Sequence, residues 1–286
     1  MRDPEGDDWR ALLERPATAT DEATADAWFQ RVATRLLQET SLEIGGVAHR
    51  VVELELYYHG PPHHPDPFTH QDPLQQSCGR WYLHRTGAGL RGGTYKGIDL
   101  TFGEQGVCGG ALLRALEAPD GALIEGPSLC VDHMIARAGA ADVAALDRAV
   151  ADRDAWSEGQ VIRLRRDAAG DARPIFRSGR VGLTLRRADE HPGMLRTIGR
   201  LYRFLTAPTG IKKGRPYLIA ALRAQGRDAK AIAATVGSPE ASVRKLIAEF
   251  DRGHAEDDAT LAAYRGRSLS SGALARMLGA WQRHYG

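Results

Sequence analysis

The sequence predicts an α+β protein, with a mixed strand-and-helix domain over residues 1–208 and a small all-helical region over 209–286. Two observations predict it. Stretches alternating apolar and polar residues recur with helical stretches up to about residue 206. Near Pro208 the texture changes to a basic linker, TGIKKGRP, and the chain beyond it has helical spacing.

Residues 1–20 read as a poorly ordered acidic lead-in. Trp28, Val32 and Leu36 stand at helical spacing within a helix over 22–39. HRVVELELYY at 49–58 alternates strictly: Val52, Leu54, Leu56 and Tyr58 share one face, and Val51, Glu53, Glu55 and Tyr57 the other. That pattern predicts a half-buried strand with two carboxylates and a phenol on an open face. Residues 59–75 are too rich in His and Pro for regular structure. Short strands at 80–85 and 98–102 flank a glycine-rich stretch. ALLRALE at 111–117 is a further strand that sets Arg114 beside Leu112 and Leu116, where a guanidinium needs an acidic or hydrogen-bonding partner. Gly126-Pro127-Ser128 opens a helix to about Ala138, since proline suits a first helical turn. A helix over 141–152 and strands near 160–166, 174–178, 180–187 and 200–206 complete the domain. The remaining chain reads as helices over 216–225, 228–235 and 239–252. Gly237-Ser238 forms the tight connection, Ser238 caps the third helix, and Ile232, Val236, Val243 and Leu246 form a small core. This is the texture of a helix-turn-helix.

Charge is divided unevenly. Residues 1–159 hold 14 Lys and Arg against 25 Asp and Glu, and residues 160–286 hold 24 against 11. A basic half is the footprint of a polyanion partner, although a solvated basic surface produces the same count. Cys78, Cys108 and Cys130 are odd in number and widely spaced, which fits neither a disulfide framework nor a zinc module. No apolar run approaches the ~18 residues of a membrane span, and MRDPEGDDWR lacks the regions of a signal peptide. The expectation is a cytoplasmic, nucleoid-associated monomer with no membrane contact.

Three constellations carry chemistry. Glu53, Glu55 and Tyr57 share one strand face, where a carboxylate can deprotonate water and stabilise a cationic sugar-like transition state. Six of the ten histidines lie between 49 and 84. The loop that carries His63, His64 and His70 matches no established metal-ligand spacing, so no metal and no cofactor is expected, and a metal-dependent hydrolase stands as a third reading. The glycine-rich stretch 87–110 lets a ligand approach the backbone closely. It is not a phosphate loop, because Lys96 is succeeded by glycine and no helix begins there.

Read in order, VVELELYYHG (51–60), HPDPFTH (64–70), YKGIDLTFG (95–103), GALLRALEAPDG (110–121), EGPSLCVDH (125–133), SGRVGLTL (178–185) and RLYRFLTAP (200–208) resemble the alkyladenine (3-methyladenine) DNA glycosylase family. The match covers about residues 25–208 and leaves 209–286 uncovered. The resemblance implies a compact mixed domain with an antiparallel β core and no metal. It implies that the enzyme flips a modified base out of double-stranded DNA and hydrolyses its N-glycosidic bond, leaving an abasic site. It makes Glu55 the general base and Arg114 the support for the water and the neighbouring phosphate. Tyr57 stacks on the flipped base, His70 is the pocket histidine, and Tyr82 and Tyr95 contact the substrate. Ser128 contacts DNA at a helix opening. Lys96 and Arg180 are expected as further DNA contacts, as are Lys212, Lys213, Arg244 and Lys245, which lie beyond the matched stretch in the basic helical region.

The sequence departs from the family twice. Where the family has a wedge tyrosine, this chain is glycine-rich, and Leu90 or Arg91 is left to fill the vacated base stack. Asp99 stands where the family has asparagine. An ionised carboxylate only accepts hydrogen bonds, which favours a base edge presenting an amino group, such as cytosine N4 or adenine N6. The glycine-built wall also leaves room for a bulky substituent. The expected substrate is a damaged or bulky modified base, with a hypermodified phage-type pyrimidine, excised in defence, as the sharper form. The alternative is a non-catalytic DNA-binding regulator that uses the C-terminal helix-turn-helix.

Overall fold

Two glycines start the sheet. Strands β1 (Thr40–Ile44) and β2 (Val47–His59) are joined by Gly45 and Gly46, both with positive φ, the conformation a two-residue hairpin turn demands. A Cβ on Gly45 would fall 2.1 Å from the Arg137 carbonyl, so the turn also needs the missing side chain. The computed structural model describes residues 4–167, 169–256 and 261–286, and the chain divides into two units. The first comprises Met1–Pro65 and Thr69–Ile175, and the second comprises Asp66–Phe68 and Phe176–Gly286.

In the first unit, β3 (Cys78–Leu83), β6 (Ile98–Phe102), β7 (Cys108–Glu117), β2, β1 and β9 (Ile162–Arg166) lie side by side, every pair antiparallel. Strand β8 (Leu123–Glu125) also pairs with β7, and β4 (Arg85–Thr86) with β5 (Gly89–Leu90) makes a separate small hairpin. The face of β2 that carries Val52, Leu54, Leu56 and Tyr58 is buried. Helix α2 (Glu22–Gln38) packs against this strand, with Trp28 meeting Tyr58 and Phe102 edge-on at 5.3 and 5.4 Å. Asp21 caps α2 by accepting from the Thr24 amide at 2.8 Å. Helices α3 (Pro127–Ala138) and α4 (Val143–Val150) stand where the sequence places them.

Residues 4–13 form a helix, α1, in place of the expected loose lead-in; residues 1–3 of that stretch lie outside the described residues. The reason is aromatic. Trp9 stacks on Trp156 at 6.1 Å, Arg35 lies over the Trp9 ring, and Trp28 Nε1 donates to the Leu12 carbonyl at 2.9 Å.

The second unit begins well before residue 208. Strands β10 (Phe176–Ser178) and β11 (Arg203–Leu205) pair antiparallel. Residues 180–187, expected as a strand, make no strand; Leu185 instead joins a buried cluster with Met194, Ile198, Tyr217, Phe250, Met277 and Trp281. That cluster ties the short helix α5 (Gly193–Thr197) to α6 (Arg215–Ala224), α8 (Glu240–His254) and α9 (Ser271–Tyr285). Helix α9 lies beyond the three helices expected from the sequence. It crosses α8 closely: a Cβ on Gly279 would fall 2.0 Å from the Phe250 carbonyl, and one on Gly253 would fall 1.9 Å from that of Arg276. Helix α7 (Ala229–Val236) buries Ile232 and Val236, and α8 buries Val243, whereas Leu246 is only half-buried. The cap of α8 falls on Pro239, not Ser238, and has no side-chain hydrogen bond. Among the described residues no helix is long and apolar enough to cross a membrane.

Candidate functional site

Register gathers the chemistry onto one face of the first unit's sheet. Glu55 pairs with Leu112, Leu112 with Asp99, and Asp99 with Tyr82. Directly opposed residues of antiparallel strands point to the same face, so Glu55, Asp99 and Tyr82 lie in one row across β2, β7, β6 and β3. Tyr57, two residues on from Glu55, shares that face and is opposed by Gly110.

At the β2 end of the row the pairing slips. Glu53 pairs with Ala115 and Leu54 with Leu113, which leaves Arg114 as an extra residue on β7. The Arg114 Nε donates to Glu53 Oε1 at 3.1 Å, and its terminal nitrogen donates to Glu55 Oε2 at 3.3 Å. Tyr57 donates its hydroxyl to the same Glu55 oxygen at 2.8 Å. All three charged groups are buried, and Glu55 has no exposed surface. The face that alternation marks as open is therefore covered. The guanidinium is held charged more firmly than usual: burial opposes the charge, but Glu55 and Glu53 outweigh it and raise the Arg114 pKa. The partner that Arg114 requires is thus a pair of carboxylates from the neighbouring strand.

At the other end, Asp99 accepts from Nε2 of His84 at 2.7 Å and from Nε2 of Gln75 at 3.1 Å. A carboxylate has about four acceptor sites, so these bonds leave capacity for a further donor. The His70 ring lies 4.4 Å from that of His84, and Nδ1 of His70 is 3.5 Å from the Tyr82 hydroxyl. Desolvation, with His84 nearby, pushes the His70 pKa down to about 4, although the residue keeps solvent-exposed surface. His70 is therefore neutral at pH 7. Between its ordinary value of 6.5 and about 4, the unfolded chain binds the proton and the folded chain does not. Its effect is a loss of stability as pH falls through that window. His70→Asn is expected to flatten that limb in urea titrations between pH 7 and 4.

Gly110 makes room for Asp99. A Cβ there would fall 2.5 Å from Asp99 Oδ2 and 3.0 Å from Gln75 Nε2. Gly110→Ala should cost about 1–3 kcal/mol by overpacking, read by chemical denaturation.

The remaining candidate residues sit on the tip beyond β3 and in the second unit. Leu90 is half-buried, and Arg91 Nε donates to the Arg85 carbonyl and to Thr86 Oγ1, both at 3.1 Å. Tyr95 is 76 % exposed, the most open large hydrophobic side chain among the described residues. Lys96 pairs with Asp132 at 2.9 Å and donates to the Gly93 carbonyl, which also accepts from Ser128 Oγ at 2.8 Å. These bonds tie the tip to the start of α3. Arg180 is not a surface contact for DNA: it is fully buried, ion-paired with the equally buried Asp66, and lies over the rings of Phe68 and Tyr202. Lys212, Lys213, Arg244 and Lys245 are exposed. His64 turns inward, with Nδ1 2.9 Å from the Tyr58 carbonyl, while His63 is exposed. The described residues contain no group of three or more His, Cys, Asp or Glu side chains arranged to hold a metal ion.

His84 and Gln75 belong to the cluster and were not among the expected site residues. His84 had a readable signal, since it stands two residues beyond Tyr82 and so continues the same strand face. Gln75 comes from a 3-10 turn (Pro73–Gln76) in the proline-rich loop, where no periodicity points to it. No protein-family model matches the chain, and no curated protein matches it.

Proposed function

We propose that the first unit is the catalytic part of a DNA base-excision enzyme, with a fold of the alkyladenine-glycosylase type, and that Glu55 is its general base. The observation that carries the reading is the row Glu55–Leu112–Asp99–Tyr82, with Arg114 and Tyr57 both donating to Glu55. A sheet needs no buried glutamate pair to fold, and a buried ion cluster is weak support for stability. Its residue types suit hydrolysis of a glycosidic bond. As the bond from C1′ to the base nitrogen breaks, its electron pair leaves with the base. Water adds to C1′, Glu55 takes the water's proton while its charge stabilises the cationic sugar, and that proton then passes to the nitrogen of the departed base. The released base and an abasic sugar are the products.

Two strand spacings of ~4.8 Å separate Glu55 from Asp99, a span suited to a sugar at one end and a base at the other. Asp99, supported by His84 and Gln75, accepts from an exocyclic amino group of the base. The substrate is a damaged or bulky modified base, with a large modified pyrimidine of the phage type as the favoured form. Because Glu55 is fully buried, the nucleotide must open a path to it, and His70, exposed beside His84, marks the side from which it enters. Tyr95, exposed on the tip, is better placed than Leu90 or Arg91 to fill the gap in the stack. The regulator alternative assigns no task to the Glu53–Arg114–Glu55 cluster. The test is mass spectrometry of bases released by the purified chain from plain, alkylated and hypermodified phage DNAs. Release of a base at concentrations comparable to enzyme supports the reading; no release from any of them removes it.

A further inference from the structure

Helices α7 and α8 are joined by three residues, Gly237-Ser238-Pro239. Gly237 adopts the left-handed conformation, and a Cβ on it would fall 2.7 Å from Thr209 Cγ2. Thr209 Oγ1 also donates to the Thr235 carbonyl at 3.0 Å. The segment leading to Lys212 and Lys213 is thereby fastened to the turn between the two helices. Asp228 caps α7 by accepting from the Ala231 amide at 2.8 Å.

The outer face of α8 is exposed and carries basic residues. Ala241, Arg244, Lys245, Ala248 and Arg252 recur at intervals of three and four, so they form one stripe, and all are exposed. The stripe holds three cations, two of them paired on the helix itself, Arg244 with Glu240 and Arg252 with Glu249 at 2.7 Å, and exposed Asp251 borders it. Its other members are alanines, and exposed Ser242 flanks it. Glu240, one turn earlier, accepts from Arg244 Nε at 2.9 Å and fixes that guanidinium toward the start of the helix. Short side chains let a backbone sit deep in a groove, and flanking cations neutralise phosphates.

We infer that α8 is a recognition helix that enters the major groove of B-form DNA through Ala241, Ser242, Arg244 and Lys245, while Lys212 and Lys213 hold the adjoining phosphates. This contact is independent of base excision. It gives the chain a second hold on DNA that requires no modified base.

The test uses the full chain and an unmodified duplex of about two helical turns, with binding read by fluorescence anisotropy across a salt series. Arg244→Ala/Lys245→Ala is expected to weaken binding at least ~10-fold, as loss of groove contacts does. Lys212→Ala/Lys213→Ala should lower the salt slope by about 2, near one per phosphate contact. Ala241→Glu should abolish the contact and Ala241→Lys should strengthen it; the position is exposed, so unchanged circular dichroism is expected alongside. Methyl green, which occupies the major groove, should displace the protein, and netropsin, which occupies the minor groove, should not. Unaltered affinity and slope in all four variants would overturn the inference. So would equal binding to duplex RNA, whose deep narrow major groove excludes a helix. Anisotropy on an unmodified duplex does not read base release, so failure of this contact leaves the excision reading standing, and the converse holds.

Discussion

Glu55→Gln is expected to bind substrate DNA as tightly as the natural chain and to release base about 10³-fold more slowly, within the range that general-base catalysis contributes. The substitution keeps the shape of the side chain and removes only its capacity to take a proton and to face a cation with negative charge. Two donors, Arg114 and Tyr57, already point at Oε2. The amide can present oxygen to them, so the cluster keeps its packing, and Arg114 keeps Glu53 as a partner. Single-turnover release quantified by chromatography, set beside anisotropy for binding, separates the two quantities. A Glu55→Gln chain that releases base at the natural rate ends the assignment of this carboxylate. Glu55→Asp, with its charge drawn back by one methylene, should fall between the two.

Arg114→Leu is expected to lose about 3–5 kcal/mol of stability, the size typical when one member of a buried ion cluster is removed. The arithmetic is asymmetric. Leucine fills most of the space, yet it leaves the carboxylates of Glu53 and Glu55 buried without their guanidinium. The cost comes from the stranded charges more than from the lost bonds. Urea titration measures it directly. The triple change Glu53→Gln/Glu55→Gln/Arg114→Leu should recover most of the loss, because it removes the charges together. If Arg114→Leu alone is as stable as the natural chain, the two glutamates are not held as ions by this arginine, and the electrostatic account of the site is wrong.

Much of this arrangement was readable in the chain itself, for reasons that differ by residue. Strict alternation over 49–58 fixed both the strand and the shared face of Glu53, Glu55 and Tyr57, because a period of two permits no other grouping. An arginine among leucines at 114 announced a buried acidic partner, and register supplied two. Burial of that face was not readable, since alternation tells which side is polar and not what covers it. Helix α1 was missed because its order comes from Trp9 against Trp156, a contact spanning most of the first unit's sequence. Residues 180–187 mimic a strand, yet Leu185 is drawn into a helical cluster, so tertiary packing overrides local pattern. Arg180 looked like one more member of a basic surface. Only the fold reveals that Asp66, over a hundred residues earlier, neutralises it.

That last pairing governs how the chain can be inherited and rearranged. Asp66, Pro67 and Phe68 are supplied from the interior of one unit's sequence, yet they complete the other. A gene fragment starting at 176 would encode the terminal helices while leaving behind the anion that Arg180 must face. Recombination at that seam should therefore yield insoluble hybrids, and the helical unit should travel through evolution only in company with the loop that feeds it.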